Sequence, residues 1–322
     1  MAGRRLNRRQ QSRIREAQRT IDPNDPANRA GLVISHRGKA VEVEPLDPPG
    51  DNIQCGFKPS LGVIVCGDRA IYRDDGRGPL IVALQPRDNL LQRMDGFGHI
   101  KAVAANVTQL VVCLALEPAP NRFLLDQYLV SAEQQGLQAL ILLNKIDLLQ
   151  SAEADPFELK AIYRPLGYRV LHSSIEDPAS IRALREQLQG HTSVISGVSG
   201  VGKSSLTKAI LPDIDIRIAE ISDFNKEGRH TTRSSRLYHL PDGGDLIDTP
   251  GVRGFNPVLD PKQPLSDGFR EIRDLSQHCR FANCRHVNEP GCAVRASVET
   301  GEIAASRYRS YRKLLENEAA IP

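Results

Sequence analysis

The sequence lacks any apolar run long enough to cross a membrane. Its longest fully apolar stretch, residues 110–116, has seven residues, whereas a spanning helix needs about 20. The arginine-rich N-terminus also lacks the apolar core of a secretory signal, so we expect neither export nor membrane attachment. Six cysteines are too few for a disulfide scaffold, and three of them lie within fourteen residues. This clustering favours a metal site in a reducing compartment.

A large net charge is also missing. The chain has 42 Lys and Arg against 39 Asp and Glu, a net charge of +3. Residues 1–20 hold seven Arg and one Glu, which is +6, so the other 302 residues carry −3. A protein that coats nucleic acid over its whole surface should be more basic. We therefore expect a basic, flexible tail over residues 1–31 on a nearly neutral body, which is long enough for two or three domains.

Two successive patterns follow the tail. Residues 32–98 carry short β-type runs, at 32–35, 40–43, 62–68 and 80–84, separated by Gly, Pro and Asp. Such spacing favours a small β-barrel of the OB type, with any other small β domain as the alternative. Over residues 99–260, apolar strand-length runs alternate with helical stretches at 121–135, 178–188 and 203–210, and Asn121 is a candidate N-cap of the first. This alternation predicts a mostly parallel, doubly wound α/β sheet. Residues 261–322 form a Cys/His-rich segment that ends in a helix.

A phosphate-binding loop follows one predicted strand and opens a helix. Its residues fit the pattern G-x-x-x-x-G-K-[ST]: Gly197-Val198-Ser199-Gly200-Val201-Gly202-Lys203-Ser204. Backbone N–H groups of such a loop surround the β-phosphate, and Lys203 adds charge at the β- and γ-phosphates. Ser204 offers a hydroxyl to Mg²⁺, and we assign Ser205 to the same nucleotide-binding set.

Three further segments complete a guanine-nucleotide site. In Asn144-Lys145-Ile146-Asp147, the Asp147 carboxylate can accept two hydrogen bonds from guanine, while Asn144 faces the other edge and the Lys145 stem covers the base. Ser173 and Ser174 are placed to contact the base through backbone N–H groups. In Asp248-Thr249-Pro250-Gly251, Asp248 can hold Mg²⁺ through water and Gly251 can sense the γ-phosphate.

These elements are those of a Ras-like GTPase in a permuted order, because residues 144–147 and 173–174 precede the phosphate-binding loop. A circularly permuted GTPase core between an N-terminal β-barrel and a C-terminal Cys/His segment resembles the bacterial ribosome small-subunit-dependent GTPase A family, over residues 32–318. The resemblance implies a cytoplasmic GTPase that binds GTP or GDP with Mg²⁺. No heptad pattern or self-pairing strand suggests a dimer, so we expect a monomer. The resemblance also implies a slow enzyme, stimulated by the small ribosomal subunit and its rRNA. Hydrolysis would time its release during late maturation, and other assembly factors are further candidate partners.

The resemblance also points to a switch segment. In Gly228-Arg229-His230-Thr231-Thr232, a threonine can close onto Mg²⁺ and the γ-phosphate, and spacing does not decide between Thr231 and Thr232, although we favour Thr232. Val252 stands where Ras-like enzymes place a water-orienting glutamine. The resemblance therefore nominates His230 as a catalytic residue, with Thr232 and Lys203, against the alternative of a solvated loop histidine.

The C-terminal segment offers a set of zinc ligands. Cys279, Cys284 and Cys292, with a histidine between them, can form a closed tetrahedral site of structural type. Spacing leaves both His278 and His286 open, and the resemblance favours His286. The cationic residues Arg307, Arg309, Arg312 and Lys313 fit either an RNA-facing surface or a solvated helix face.

Two other functions stay open at this stage. The first is an RNA-binding assembly factor that uses GTP as a clamp with negligible catalysis, which Val252 supports. The second is a permuted GTPase that acts on the large subunit, which the combination of barrel and zinc segment disfavours.

Overall fold

The computed structural model describes residues 25, 27–37, 40–94, 98–149, 155, 157–211, 235–249 and 256–319. Most of the predicted tail therefore lies outside the described residues. Among the helices of the described part, none is both long and apolar enough to span a bilayer.

An N-terminal five-stranded barrel precedes the rest of the chain. Its strands are β1 (Arg29–Arg37), β2 (Ala40–Pro45), β3 (Ile53–Phe57), β4 (Arg69–Asp74) and β5 (Pro79–Leu84). They pair in the order β1-β2-β3-β5-β4, and β4 pairs back onto β1 to close the barrel. Along β2, Val41 and Val43 point into the apolar interior, whereas Glu42 and Glu44 face outwards. This alternation confirms the predicted barrel.

The strand expected at residues 62–68 is wrong. This segment is a turn, and only Cys66 forms an isolated bridge, to Ala104. Asp68 fixes the turn, because its carboxylate accepts the Val65 N–H at 2.9 Å and pairs with Arg87 at 2.6 Å. Gly67 has φ +83°, and a Cβ there would lie 2.2 Å from the carbonyl oxygen of Ala105. The apolar residues misled the prediction because Ile64 packs in the barrel cluster and Cys66 in a core cluster without forming a ladder.

The α/β core has the predicted parallel sheet. Its strands are β8 (Gln109–Ala115), β9 (Gln138–Asn144), β10 (Arg169–Ser173), β11 (Thr192–Ser196), β12 (Arg236–His239) and β13 (Asp245–Asp248). They pair in the order β10-β9-β8-β11-β13-β12, and only β12 runs antiparallel to its neighbour β13. Alternate residues of β8 enter two different apolar clusters, one on each face of the sheet. Because both faces of the sheet are covered, residues 110–115 of β8 form one continuous apolar run in the sequence.

Helices cover both faces of this sheet. They are α1 (Arg122–Gln134), α2 (Leu159–Tyr163), α3 (Pro178–Leu188) and α4 (Lys203–Ile210). The Asn121 side chain caps α1 by accepting the Leu124 N–H at 3.1 Å, as the sequence predicted. Leu125 and Leu129 of α1 pack in one cluster, and Leu184 and Leu206 of α3 and α4 pack in the other.

The barrel is joined to the core by a β pairing, and a separate small sheet is formed by strands that follow the barrel in sequence. First, β1 pairs with β12, with Ser35 opposite Arg236, so the barrel and the core share one continuous sheet. Second, β6 (Leu90–Met94), β7 (Ile100–Ala105) and β14 (Asn256–Pro257) form a small sheet of their own. The chain after Asp248 therefore returns to residues near the barrel before it enters the C-terminal part.

Three helices form the C-terminal part, the zinc module. They are α5 (Arg270–Ser276), α6 (Ala293–Glu299) and α7 (Ala305–Ala319). Their apolar cluster includes Phe269, Ile272 and Tyr311 and also Val130 from α1 of the core. The module is thus packed directly on the α/β core.

Candidate nucleotide site and metal centre

The parallel strands bring the predicted nucleotide residues to one edge of the sheet. Asn144 ends β9, Ser173 ends β10 and Asp248 ends β13, while residue 197 follows β11. Since the carboxyl ends of parallel strands meet at the same edge, four segments that are distant in sequence converge there.

The shape of the phosphate-binding loop depends on two glycines. Gly197 has φ +148°, and a Cβ there would lie 2.2 Å from the carbonyl oxygen of Cys113. Gly202 has φ +91°, and a Cβ there would lie 2.5 Å from Nδ2 of Asn144. Both positions exclude a side chain because backbone or a buried amide occupies the space. The loop is therefore packed against β8 and β9 as well as curved.

Lys203 begins α4 and turns back into the loop. Its Nζ donates to the carbonyl oxygens of Gly197 and Val198, both at 2.7 Å. Burial lowers the pKa of Lys203, although Cys113 and Asp248 act in the opposite direction. A partly buried ammonium of this kind is favoured by a nearby anion, which fits a phosphate ligand.

Asn144 connects three parts of the site. Its Nδ2 donates to the carbonyl oxygen of Val201 at 2.9 Å, and its Oδ1 accepts from Ser173 Oγ at 3.0 Å. The side chain is 2% exposed. It therefore holds the phosphate-binding loop against the ends of β9 and β10, a positioning role that the sequence did not reveal.

The base-facing residues are also held in place. Lys145 has φ +60° and its Nζ donates to the Glu117 carbonyl oxygen at 3.1 Å. The Asp147 carboxylate accepts from Ser174 Oγ at 2.6 Å. The backbone N–H of Ser174, predicted to contact the base, donates to Ser180 Oγ at 3.0 Å. Ser174 thus orients Asp147 through its hydroxyl.

Asp248 and Ser204 could hold a divalent cation. Burial raises the pKa of the Asp248 carboxyl, although the Thr249 N–H and Lys203 partly offset it. A carboxylate destabilised by burial gains from a nearby cation, and Ser204 presents an exposed hydroxyl in the first turn of α4. The residues present therefore fit Mg²⁺. His230, Thr231, Thr232 and Gly251 lie outside the described residues.

The proposed zinc ligands converge. Cys279, Cys284, His286 and Cys292 place one ligand atom each within 4.8 Å of all the others. Sγ of Cys279 lies 3.9 Å from Sγ of Cys292, and each is 3.5 Å from Nδ1 of His286. Tetrahedral zinc requires S···S of about 3.8 Å and S···N of about 3.5 Å. The four groups fit zinc, and the alternative ligand His278 is exposed and outside this cluster.

Residues that sequence reasoning missed hold the ligand loop. Glu289 accepts the N–H groups of Arg285, Val287 and Asn288 at 2.8 to 3.0 Å, and these bonds, led by the one from Arg285, lower its pKa to about 2. From α7, Tyr308 donates its hydroxyl to the His286 carbonyl oxygen at 2.7 Å. His286 itself has φ +59°. The signal for this role in the sequence was an acidic residue, Glu289, three residues after the predicted ligand His286.

Arg307 fits neither interpretation of the cationic residues, which were an RNA-facing surface or a solvated helix face. Its side chain is 1% exposed and pairs with Asp126 of α1 at 2.6 Å and with Glu271 of α5 at 2.7 Å. Tyr163 adds a hydrogen bond to Asp126 at 2.8 Å. Arg307 is therefore neither RNA-facing nor solvated, and it joins the zinc module to the core.

Comparison with known proteins gives one consistent result. The family model described as RsgA GTPase matches residues 84–257. The "Small ribosomal subunit biogenesis GTPase RsgA" of Saccharophagus degradans is 43% identical to this chain, covering 98% of each chain. The protein of the same name from Pseudomonas putida is 41% identical, covering 99% of each.

Solved structures agree with these sequence matches. YjeQ from Thermotoga maritima superposes with a TM-score of 0.74 and 32% identity, over 92% of this chain and all of that one. YloQ, described as a circularly permuted GTPase, gives a TM-score of 0.71 and 26% identity, over 93% of this chain and 98% of that one.

Proposed function

Since the chain belongs to the RsgA GTPase family, we propose that it hydrolyses GTP to GDP and phosphate in the cytoplasm, where it acts in late maturation of the small ribosomal subunit. Hydrolysis times its release from that subunit. The curated relatives are named for small-subunit biogenesis, which supports this partner. The carrying observation is Asn144, whose buried amide ties the phosphate-binding loop to the base-binding strand ends.

The proposed roles follow from the described positions. Lys203 stabilises charge on the β- and γ-phosphates, and Ser204 and Asp248 are the residues that would hold Mg²⁺. Asp147 selects guanine, and Ser174 orients its carboxylate. Mg²⁺ bound by Ser204 and Asp248 would supply positive charge to the phosphate groups. We keep Thr232, with Thr231 as the alternative, as the threonine that closes onto Mg²⁺, and His230 as the group that orients water.

Guanine selection is tested with Asp147→Asn. The carboxylate accepts two hydrogen bonds from N1–H and N2–H₂ of guanine, and an amide cannot accept both. We expect GTP affinity to fall roughly 100-fold, measured with a fluorescent GTP analogue. Asp155→Asn, an acid on the α2 loop, is the matched control. Unchanged GTP affinity in Asp147→Asn would contradict the assignment.

The partner is tested by multiple-turnover hydrolysis with small subunits, with large subunits as the control. We expect slow turnover alone and stimulation by small subunits. Stimulation only by large subunits would transfer the function to that particle, and no stimulation by either would favour a GTP clamp with negligible catalysis.

The other parts have proposed roles in the same interaction. The tail (1–31), the barrel (32–98) and the zinc module (261–322) flank the GTPase domain (99–260) and supply the rRNA contacts. Barrels of this kind and zinc modules are common RNA-binding parts. We propose that one structural Zn²⁺ is held by Cys279, Cys284, His286 and Cys292 and that the protein acts as a monomer.

A further inference from the structure

The junction between the barrel and the core contains one well-formed ion pair. Arg236 of β12 donates to both oxygens of Glu42 on β2, at 2.6 and 2.8 Å. Glu42 also accepts from Ser35 Oγ at 2.9 Å and from Asn52 Nδ2 at 3.0 Å. Four hydrogen bonds therefore fix the direction of this carboxylate, and through it the direction of the Arg236 guanidinium.

Arg236 is also a neighbour of the nucleotide site. In the antiparallel pair of β12 and β13, Arg236 lies directly opposite Asp248. Side chains of directly opposite residues leave the same face of a sheet, with Cβ atoms about 4.5 to 5.5 Å apart. A guanidinium therefore stands one strand away from the carboxylate assigned to Mg²⁺, and its reach is long enough to turn towards it.

If the Arg236 guanidinium turned towards Asp248, its charge would affect how that carboxylate binds a cation. Burial disfavours the charged Asp248 carboxylate, and the cation that acts on it is Lys203. A second cation on Asp248 would satisfy that carboxylate and repel a divalent ion. The pair with Glu42 instead directs the Arg236 charge towards the outer face of β2, away from Asp248.

We propose that Glu42 of the barrel is a positioning residue of the GTPase site, which keeps the Arg236 guanidinium away from Asp248 so that Asp248 can serve Mg²⁺. This inference rests on the proposed role of Asp248. It assigns the barrel a part in nucleotide binding, in addition to any contact with RNA, because Glu42 pairs with the arginine that lies opposite the metal-binding carboxylate.

The test is the Mg²⁺ dependence of GTP binding, read with a fluorescent GTP analogue and without ribosomes. In Glu42→Gln, which keeps the side-chain shape, we expect the half-saturating Mg²⁺ concentration to rise roughly fivefold, the scale of one partly screened charge pair. Affinity in buffer without added Mg²⁺ should stay unchanged. The double variant Glu42→Gln with Arg236→Met should restore the wild-type Mg²⁺ dependence, since the displaced charge is gone.

The matched control is Asp88→Asn, which removes the exposed barrel pair between Arg69 and Asp88 and should leave the Mg²⁺ dependence unchanged. Loosening of the junction alone would shift nucleotide affinity equally with and without Mg²⁺, and the double variant would not restore it. Either result overturns the inference. The variant Asp248→Asn tests the Mg²⁺ role of Asp248 separately from the positioning role of Glu42. A wild-type Mg²⁺ dependence in that variant overturns the assignment of Asp248, and the inference with it. A shifted dependence there, with none in Glu42→Gln, overturns only the role of Glu42.

Discussion

The barrel and the zinc module are joined to the same α/β core by different means. The barrel shares a sheet with the core, and its ion pairs there are partly solvated: the Arg236 side chain is 30% exposed and His239 52%. The zinc module instead buries an apolar cluster against Val130, and the side chains of Arg307 and Asp126 there are at most 1% exposed.

This difference indicates which junction can adjust. Water screens the half-exposed ion pairs of His239 at the barrel junction, so these pairs contribute little free energy and can rearrange. Breaking the buried Arg307 pair would leave charges without solvent, so the zinc module should move with α1 as one unit. The comparison predicts that changes in the zinc module have large effects on stability and that changes at the barrel junction have small ones.

Removal of zinc should have the largest effect. Structural zinc sites contribute about 10–16 kcal/mol of binding free energy, which a small module spends on folding. We expect a chelator to unfold residues 265–303 and to loosen α1, since Val130 shares the module's cluster. Hydrogen exchange measures both. The barrel strands should keep their protection, and loss of protection there to the same extent would contradict the proposed difference between the junctions.

Arg307→Met should have the next largest effect. It leaves Asp126 and Glu271 buried without their cation, which costs about 3–5 kcal/mol. Urea unfolding measures this loss. Arg309→Met is the matched control, because Arg309 lies two residues along the same helix and is exposed. Similar losses in both variants would show that the buried pair is not what holds the module.

Glu289→Gln should have a smaller effect, on the loop that carries the zinc ligand His286. The carboxylate accepts three backbone N–H groups around His286, and the amide weakens these bonds by about 1–3 kcal/mol in total. We expect weaker zinc binding, measured by competition with a chromophoric chelator, with the nucleotide affinity unchanged. Glu299→Gln, on α6 outside the ligand loop, should behave as wild type. An unaltered zinc affinity in Glu289→Gln would remove the positioning role.

The smallest effect concerns His239 at the barrel junction. It lies 2.7 Å from Asp245 of β13 and 2.9 Å from Glu44 of β2, and the bond to Asp245, more than the other contacts, raises its pKa to about 9. Its stabilisation is therefore complete below pH 6.5 and is lost as the pH rises through 9. Half-exposure limits it to about a few tenths of a kcal/mol. The difference in urea midpoint between wild type and His239→Gln should shrink from pH 6 to pH 10; a constant difference would contradict this.

Much of the fold could be predicted because local pattern and tertiary structure agree. The continuous apolar run of β8 and the capping Asn121 each encode their own element, and helices α3 and α4 begin and end where the sequence placed them. The prediction failed at residues 62–68, where Ile64 and Cys66 pack in two different apolar clusters while Asp68 and Gly67 make a turn. β3 was missed because its five residues carry no strong alternation.

The sequence by itself determined the nucleotide chemistry, the permuted order and the metal ligands, because each depends on residue types at fixed spacing along the chain. The tertiary structure decided what charged residues do, because their roles depend on partners that are distant in sequence. Arg307, Arg309 and Arg312 look alike in one helix, yet only burial against Asp126, 181 residues earlier, makes Arg307 a structural cation. Likewise, Glu42 pairs with Arg236, 194 residues later, only because β1 and β12 join the barrel and the core in one sheet.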